Sequence, residues 1–493
     1  MNRIAHTLLI ASLTVGMTTR AQLGPVELSP ERGQAGWSNP AILHPSGTVF
    51  TFGGFAGAQV DAVHSGPAYL DFGNLDGELN PMAFLGQMDT VESIGTRTEV
   101  PLVGLTMRDE NRFEIRYRSR LVVDQDFRYD RDLLSVGWMG NGHPDLIGRP
   151  LSFSGMGVDA QAYLDHGLSV GAMAKEDKLW LGWGIHILNG VSALQTERFD
   201  ATWMTDTLDY SWTLDGAATV NAAGLDFDSL AAGVSPELPG DGGIPPTLGS
   251  GVAFDVGFLW RLTPKFELEG SMEGRGSIRW LESVSRRQVD PSTFVLQGLD
   301  VIGVVSEAEN QTFPDSLESM LETWAEDMVD SLAQAFDPEP TDGLPAAFDT
   351  RVRETWRLGF RFRPVESLEF QALAYRQFQY GRTLDGFIFG LVHRIRNNVA
   401  TQVQGQYLRG RWSWGAGLSM RGGPLRLALS ARNVAGILYP MQAGHWSGQV
   451  GVAFEFGYAK DKKRTKKKGI IRCLFSTQTD DNFLSNETQP SRD

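Results

Sequence analysis

The chain has almost no cysteine. Its single cysteine, Cys473, lies near the end of the 493 residues, so no disulfide can form within the chain. No cysteine follows the apolar segment at the N-terminus, which argues against a lipid-anchored lipoprotein. The eight histidines are scattered and form no pair at ligand spacing, so the sequence predicts neither a bound metal nor a cofactor.

Long hydrophobic runs are also missing. Arg3, an apolar run over residues 8–15 and small residues near Ala21 predict a signal peptide over residues 1–21, with the mature chain beginning near Gln22. That run is too short to cross a bilayer, and no later stretch reaches the roughly 18 apolar residues that a membrane helix needs. Any membrane span must therefore consist of β-strands.

Positive charge is scarce outside one segment. The formal net charge is -15, although residues 460–468 carry seven Lys or Arg. A body this acidic repels phosphate backbones, so no nucleic-acid partner is expected. Residues 459–493 are read as a basic and then polar C-terminal tail.

Strict alternation of apolar and polar residues is the strongest signal present. In residues 112–118, Phe113, Ile115 and Tyr117 alternate with arginine and glutamate, which places two different environments on the two faces of a strand. The same pattern recurs in residues 356–363, 411–420 and 449–458. Most such segments span about nine to eleven residues, the length of a tilted transmembrane strand.

These strands predict an all-β protein, a transmembrane antiparallel β-barrel of about 12–16 strands over residues 48–458. Lipid offers no partner for peptide groups, so only a closed sheet avoids exposed edges. The Gly, Ser, Arg and Glu on the polar faces indicate a narrow water-filled lumen. The alternative is a soluble β-sandwich, in which the apolar faces would point into a core.

One segment interrupts the strand pattern. Residues 299–344 are read as an acidic helical insert, because Asp315 and Glu318 resemble a capping box and apolar residues follow at helical spacing. Residues 313–337 contain seven acids and no Lys or Arg. Two roles stay open for the insert, a structural loop helix or a surface that binds a protein partner.

Five charged residues on polar strand faces are candidates for a function in the lumen: Arg116, Glu267, Glu269, Arg361 and Arg363. They could select solutes in a pore, or they could form a structural ladder across the lumen.

A possible nucleophile is Ser169, in the Gly-x-Ser-x-Gly pattern of residues 167–171. In hydrolases this pattern occupies a sharp strand-to-helix turn, whereas the residues here continue as a strand. We therefore expect no enzymatic activity, with an outer-membrane esterase as a remote alternative.

The segment Trp37-Ser38-Asn39-Pro40-Ala41 resembles the Asn-Pro-Ala segment of FadL-like outer-membrane barrels, which include long-chain fatty acid transporters and PorV-type proteins of Bacteroidota. Residues 178–182, 188–191, 254–257, 276–280 and 344–345 together resemble a Bacteroidota outer-membrane family known only as a domain of unknown function. The chain departs from that family at residues 273–276, and it lacks a terminal aromatic strand.

The resemblance implies an outer-membrane barrel with a short N-terminal lumen segment, here residues 22–47, in which Asn39, Pro40 and Ala41 form a hatch. We therefore expect a passive channel in the Gram-negative outer membrane, in contact with its lipid, for a small molecule that could be hydrophobic. Deleting the hatch should raise permeability. The alternative is an interaction barrel that anchors or shuttles a periplasmic or surface protein partner.

Overall fold

The computed structural model describes residues 37–67, 80–109, 112–225, 247–296, 331, 335–336, 339–340, 347–396, 398–408, 411–431, 433–434 and 445–457. The predicted signal peptide, residues 22–36 of the predicted lumen segment, nearly all of the acidic insert and the C-terminal tail lie outside these ranges. None of the helices found within them is long and apolar enough to cross a bilayer.

Strands dominate these ranges. In chain order, β1 to β20 are Thr48–Phe52, Ala58–His64, Val91–Asp109, Phe113–Asp130, Leu151–Ser152, Gly157–Lys175, Leu179–Thr205, Trp212–Ala223, Gly249–Thr263, Phe266–Trp280, Val284–Leu296, Glu339–Pro340, Phe348–Arg351, Glu354–Val365, Leu368–Gln379, Arg382–Arg396, Val399–Leu408, Arg411–Gly422, Leu425–Ala431 and His445–Phe456. The helices are Pro81–Gln87 and Arg131–Met139, with a 3-10 turn at Gly54–Ala56.

The strands close into an antiparallel barrel of 14 strands, which confirms the predicted fold. Closure occurs where β20 pairs with β1 and β2, which in turn pair with β3. Short turns join strands at residues 176–178, 264–265, 366–367 and 423–424. We call this the short-turn end, and it also holds the hydrogen bond from Gly47 N to Gly457 O.

Apolar side chains cover the outside of the barrel. On β4, Phe113, Ile115 and Tyr117 are each about 40% exposed, whereas Glu114 and Arg116 between them are buried. On β18, Trp412 and Trp414 likewise face outward. A soluble sandwich would bury these side chains, so that alternative is wrong. The exterior instead suits the hydrocarbon layer of a membrane.

Strand length differs from the expectation of nine to eleven residues. On one side of the barrel β7 has 27 residues, and on the other side β19 has seven. The first half of β7 pairs with β9, while its second half pairs with β8, which continues to β11. The alternation of buried and exposed residues along β7 stops near Gly190, where the extension begins.

A β-bulge bends β10 into the lumen. The register shifts between Met272 and Arg275, and Gly274 has a φ of 78°. Beyond the bulge, Ile278 and Trp280 are fully buried. They belong to an apolar core in the half of the barrel opposite the short-turn end, together with Val122, Tyr163, Leu188 and Phe348. These apolar side chains fill part of the lumen in this half, beside buried ion pairs such as Arg97–Asp124 and Arg120–Glu99.

Candidate functional site

The N-terminal residues of the described chain lie inside the barrel. Residues 37–47, called the hatch segment below, precede β1, and Asn39, Ala41, His44 and Ser46 within it are almost fully buried. The hatch segment contains no strand. It therefore fills the lumen without being part of the wall.

Three glycines of the wall form a slot for this segment. Gly171 on β6 pairs with Gly182 on β7, and Gly182 pairs with Gly257 on β9. A Cβ at Gly182 would lie 2.5 Å from Ala41 N, and a Cβ at Gly257 would lie 3.0 Å from Asn39 Cγ. A Cβ at Gly171 would overlap the Pro40 carbonyl oxygen. The missing side chains let the Asn-Pro-Ala backbone lie directly against the wall. We call this row the glycine slot.

Asn39 fixes the local conformation of the hatch segment. Its Oδ1 accepts a hydrogen bond from Ala41 N at 3.0 Å, which is an Asx turn. Its Nδ2 donates to the Phe258 carbonyl oxygen of β9 at 3.3 Å. Asn39 thus shapes the turn and attaches it to the wall.

Three arginines hold the hatch segment through its main chain. Their guanidinium groups donate to carbonyl oxygens: Arg116 to those of Pro40 and Ile42, Arg118 to that of Trp37, and Arg357 to that of Ser38. Arg116 also pairs with Glu114, whose other oxygen accepts from His44 N at 2.6 Å. These arginines bind main-chain carbonyl groups. They therefore fix the path of the backbone and depend little on which side chains the hatch segment carries.

Next to the glycine slot, toward the apolar core, lies a buried ionic group that sequence reasoning missed. His186 bridges Asp165 and Asp255, with both N–O distances at 2.7 Å. Asp255 also accepts a hydrogen bond from Gly274 N at 2.8 Å, which ties the group to the bulge of β10. All three ionisable residues occupy polar positions of alternating strands. The alternation within each strand predicts that these three side chains face the lumen. It does not predict that they lie next to one another.

The predicted lumen charges separate into two places. Arg116 lies at the hatch segment. The other four form a ladder at the short-turn end, where Arg361 contacts Glu269 at 2.6 Å and Arg363 contacts Glu267 at 3.3 Å. Whether this ladder selects solutes or only supports the wall stays a prediction.

A cavity of about 430 Å³ lies at the short-turn end, beneath the hatch segment. It is lined by Ile42, Leu43, Pro45, Arg108, Asp177, Trp180, Leu259, Arg261, Glu267, Arg361, Arg363, Glu366 and Arg394. The Arg261 guanidinium lies 4.8 Å from the centre of the Trp180 ring. The lining therefore combines apolar side chains with five arginines, one of which stacks on Trp180.

Ser169 lies within β6. It pairs with Arg116 on one side and Gly184 on the other, and the strand continues to Lys175. The segment thus lacks the strand-to-helix turn that exposes the nucleophile of a hydrolase.

Solved structures include barrels similar to this one. The toluene transporter TbuX of Ralstonia pickettii is 10% identical, with 90% of this chain and 97% of that chain covered and a TM-score of 0.41. The toluene transporter TodX of Pseudomonas putida is 8% identical, with 88% and 94% covered and a TM-score of 0.36. A FadL homologue of Pseudomonas aeruginosa is 14% identical, with 87% and 96% covered and a TM-score of 0.34.

Among curated proteins, no sequence matches the chain. One family model, described as a family of unknown function, DUF5723, matches residues 40–431. This match begins inside the hatch segment and covers most of the barrel. The chain therefore belongs to the DUF5723 family.

Proposed function

We propose that the protein is a passive channel of the Gram-negative outer membrane that carries a small apolar molecule, and that the hatch segment closes it. The apolar exterior matches a lipid environment, and the long connections at residues 65–90, 131–156, 224–248 and 432–444 all lie at the end opposite the short-turn end, an asymmetry typical of outer-membrane barrels. The proposal includes no catalytic step.

The position of the hatch segment in the glycine slot carries this proposal. The segment is held by main-chain hydrogen bonds and by close approach to three glycines. It contributes no strand to the wall, so it can leave the lumen while every wall strand keeps its partners. A closure that can be removed without unfolding the barrel is what a gate requires.

The apolar core indicates the class of solute. Trp280, Ile278 and Leu188 are almost fully buried in the half of the barrel opposite the short-turn end, beside the ion pairs of Arg97 and Arg120. Hydrophobic constrictions exclude ions by excluding water, whereas an apolar molecule loses nothing by contact with such side chains. Release of the hatch segment should therefore admit apolar solutes before it admits ions.

Gly182→Val tests the proposal in Gram-negative cells that express the protein. The added side chain must displace the Asn-Pro-Ala backbone, so uptake of the apolar dye N-phenyl-1-naphthylamine should rise several-fold over wild type. Conductance of the variant in planar bilayers should stay low, because the apolar core remains.

Gly448→Val is the matched control, because a Cβ at that strand position meets nothing within 4 Å. It should leave dye uptake at the wild-type rate. If correctly folded Gly182→Val protein took up the dye no faster than this control, the hatch segment would not be the gate.

The alternative function, an anchor for a protein partner, depends on the acidic insert at residues 299–344. That segment lies almost wholly outside the described residues, and no observation on the rest of the chain favours this role.

A further inference from the structure

The cavity at the short-turn end combines features that a channel entrance does not require. The hatch segment provides part of its wall through Leu43, and β7 provides the nearly buried Trp180. Its volume of about 430 Å³ lies in the range of small-molecule sites, roughly 300–1,000 Å³. The cavity thus exists in this form only while the hatch segment is in place.

Two arginines of the cavity have unused hydrogen-bonding capacity. Arg108 donates to the His44 carbonyl oxygen, and it forms no ion pair with any residue that the structure describes. Arg361 is 3% exposed and donates one nitrogen to Glu269, but its buried Nε has no hydrogen-bond partner there. A buried donor without an acceptor loses the hydrogen bonds it would make to water, so an acceptor supplied by a ligand would stabilise it.

The arginines of the lining differ in whether a carboxylate already pairs with them. Five arginines and three acids line the cavity; behind them, Glu269 pairs with Arg361, and the buried Glu369 pairs with Arg363 and Arg394. Arg108 is the lining arginine without such a pair among the described residues, so an anion is the ligand that complements it, and carboxylates match the fork geometry of arginine.

We propose that this cavity binds a small aromatic carboxylate and that the bound anion stabilises the closed position of the hatch segment. The carboxylate contacts Arg108 and Arg361, and the ring packs against the apolar cluster that holds Trp180 and Leu43. A ligand that binds only the closed state shifts the equilibrium toward that state. The anion is thus a regulator, distinct from the apolar solute, and its regulatory effect depends on the gating role proposed above.

Equilibrium dialysis on the full chain in lipid nanodiscs tests the site, with naphthalene-2-carboxylate as the probe and its neutral isostere naphthalene-2-carboxamide for comparison. The carboxylate should bind saturably and at least tenfold more tightly than the amide. Arg108→Gln and Arg361→Gln should each weaken its binding about tenfold. Arg376→Gln, which alters an exposed pair with Asp385 on the outer surface, should leave it unchanged.

Gly182→Val should also weaken binding, because it displaces the Leu43 wall. Folding of each variant is checked by its heat-dependent gel mobility, and Arg361→Lys, which keeps the charge, should bind with intermediate affinity. Equal affinity for acid and amide, or unchanged affinity in both glutamine variants, overturns the proposal. Binding is measured without transport, so a failure of dye uptake would count against the channel and not against the site.

Discussion

Arg116 shows how one buried side chain joins the barrel wall to the hatch segment. It is 2% exposed, pairs with the fully buried Glu114, and donates to two carbonyl oxygens of the segment. Arg116→Met would leave the Glu114 carboxylate buried without its cation, a loss that costs about 3–5 kcal/mol. We expect the free energy of unfolding, measured by urea titration in detergent, to fall by that amount.

Two further variants separate charge burial from lost packing. Adding Glu114→Gln to Arg116→Met should recover part of the lost free energy of unfolding, because position 114 then no longer carries a buried charge without a partner. Arg198→Met removes a pair with Asp200 in which both side chains are more than half exposed, so it should cost less than about 1 kcal/mol. Similar losses for Arg116→Met and Arg198→Met would contradict the role given to Arg116.

At the scale of single residues, the sequence predicts some members of the candidate site and not others. The Asn39-Pro40-Ala41 motif is visible because its residues are adjacent in the chain, and Arg116 is visible because it lies on a polar strand face. The glycine slot is not visible. Gly171, Gly182 and Gly257 come from three strands, and they form a row only in one register of pairing, which a single sequence with many glycines does not fix.

Among single elements, β10 has the largest effect on the shape of the lumen. Its bulge places Gly274 at a φ of 78°, and a Cβ there would overlap the Arg353 carbonyl oxygen. Gly274→Ala should therefore destabilise the barrel in two ways, through backbone strain of about 1–2 kcal/mol and through overpacking of about 1–3 kcal/mol. The unfolding free energy in detergent measures the total.

Gly423→Ala isolates the first contribution. Gly423 has a φ of 62°, and a Cβ there meets nothing within 4 Å, so this variant should show only the backbone strain. If the two alanine variants lost the same free energy of unfolding, the close approach of residue 274 to the Arg353 carbonyl oxygen would not contribute to the loss.

Alternation predicts which face of an element meets lipid, because that face depends only on neighbouring residues. It does not predict the bend of β10. Asp255 on β9 holds the bulge by accepting from Gly274 N, and the bent part packs against Val122 of β4 and Leu188 of β7. These contacts join residues that are far apart in sequence, so the alternation of neighbouring residues does not predict them.

For the whole molecule, the inward residues of β7 mark successive levels of a closed lumen. Trp180 lies at the cavity, Gly182 at the slot, His186 in the ionic group and Leu188 in the apolar core. Two of these levels differ in how they are built. The hatch segment belongs to no wall strand, whereas the side chains of the apolar core come mostly from strands.

This order predicts how a water-soluble maleimide should reach cysteines placed along the lumen of a Cys473→Ser protein in nanodiscs. Leu259→Cys lies at the cavity and should react readily. Ser169→Cys lies one inward row beyond the glycine slot, so it should react slowly unless Gly182→Val displaces the hatch segment. Leu188→Cys, which replaces a side chain that is 2% exposed in the apolar core, should react most slowly in both backgrounds. Rapid labelling of Ser169→Cys in the otherwise unaltered barrel, at the rate of Leu259→Cys, would mean that the reagent passes the hatch segment in place, and then the hatch segment could not control passage.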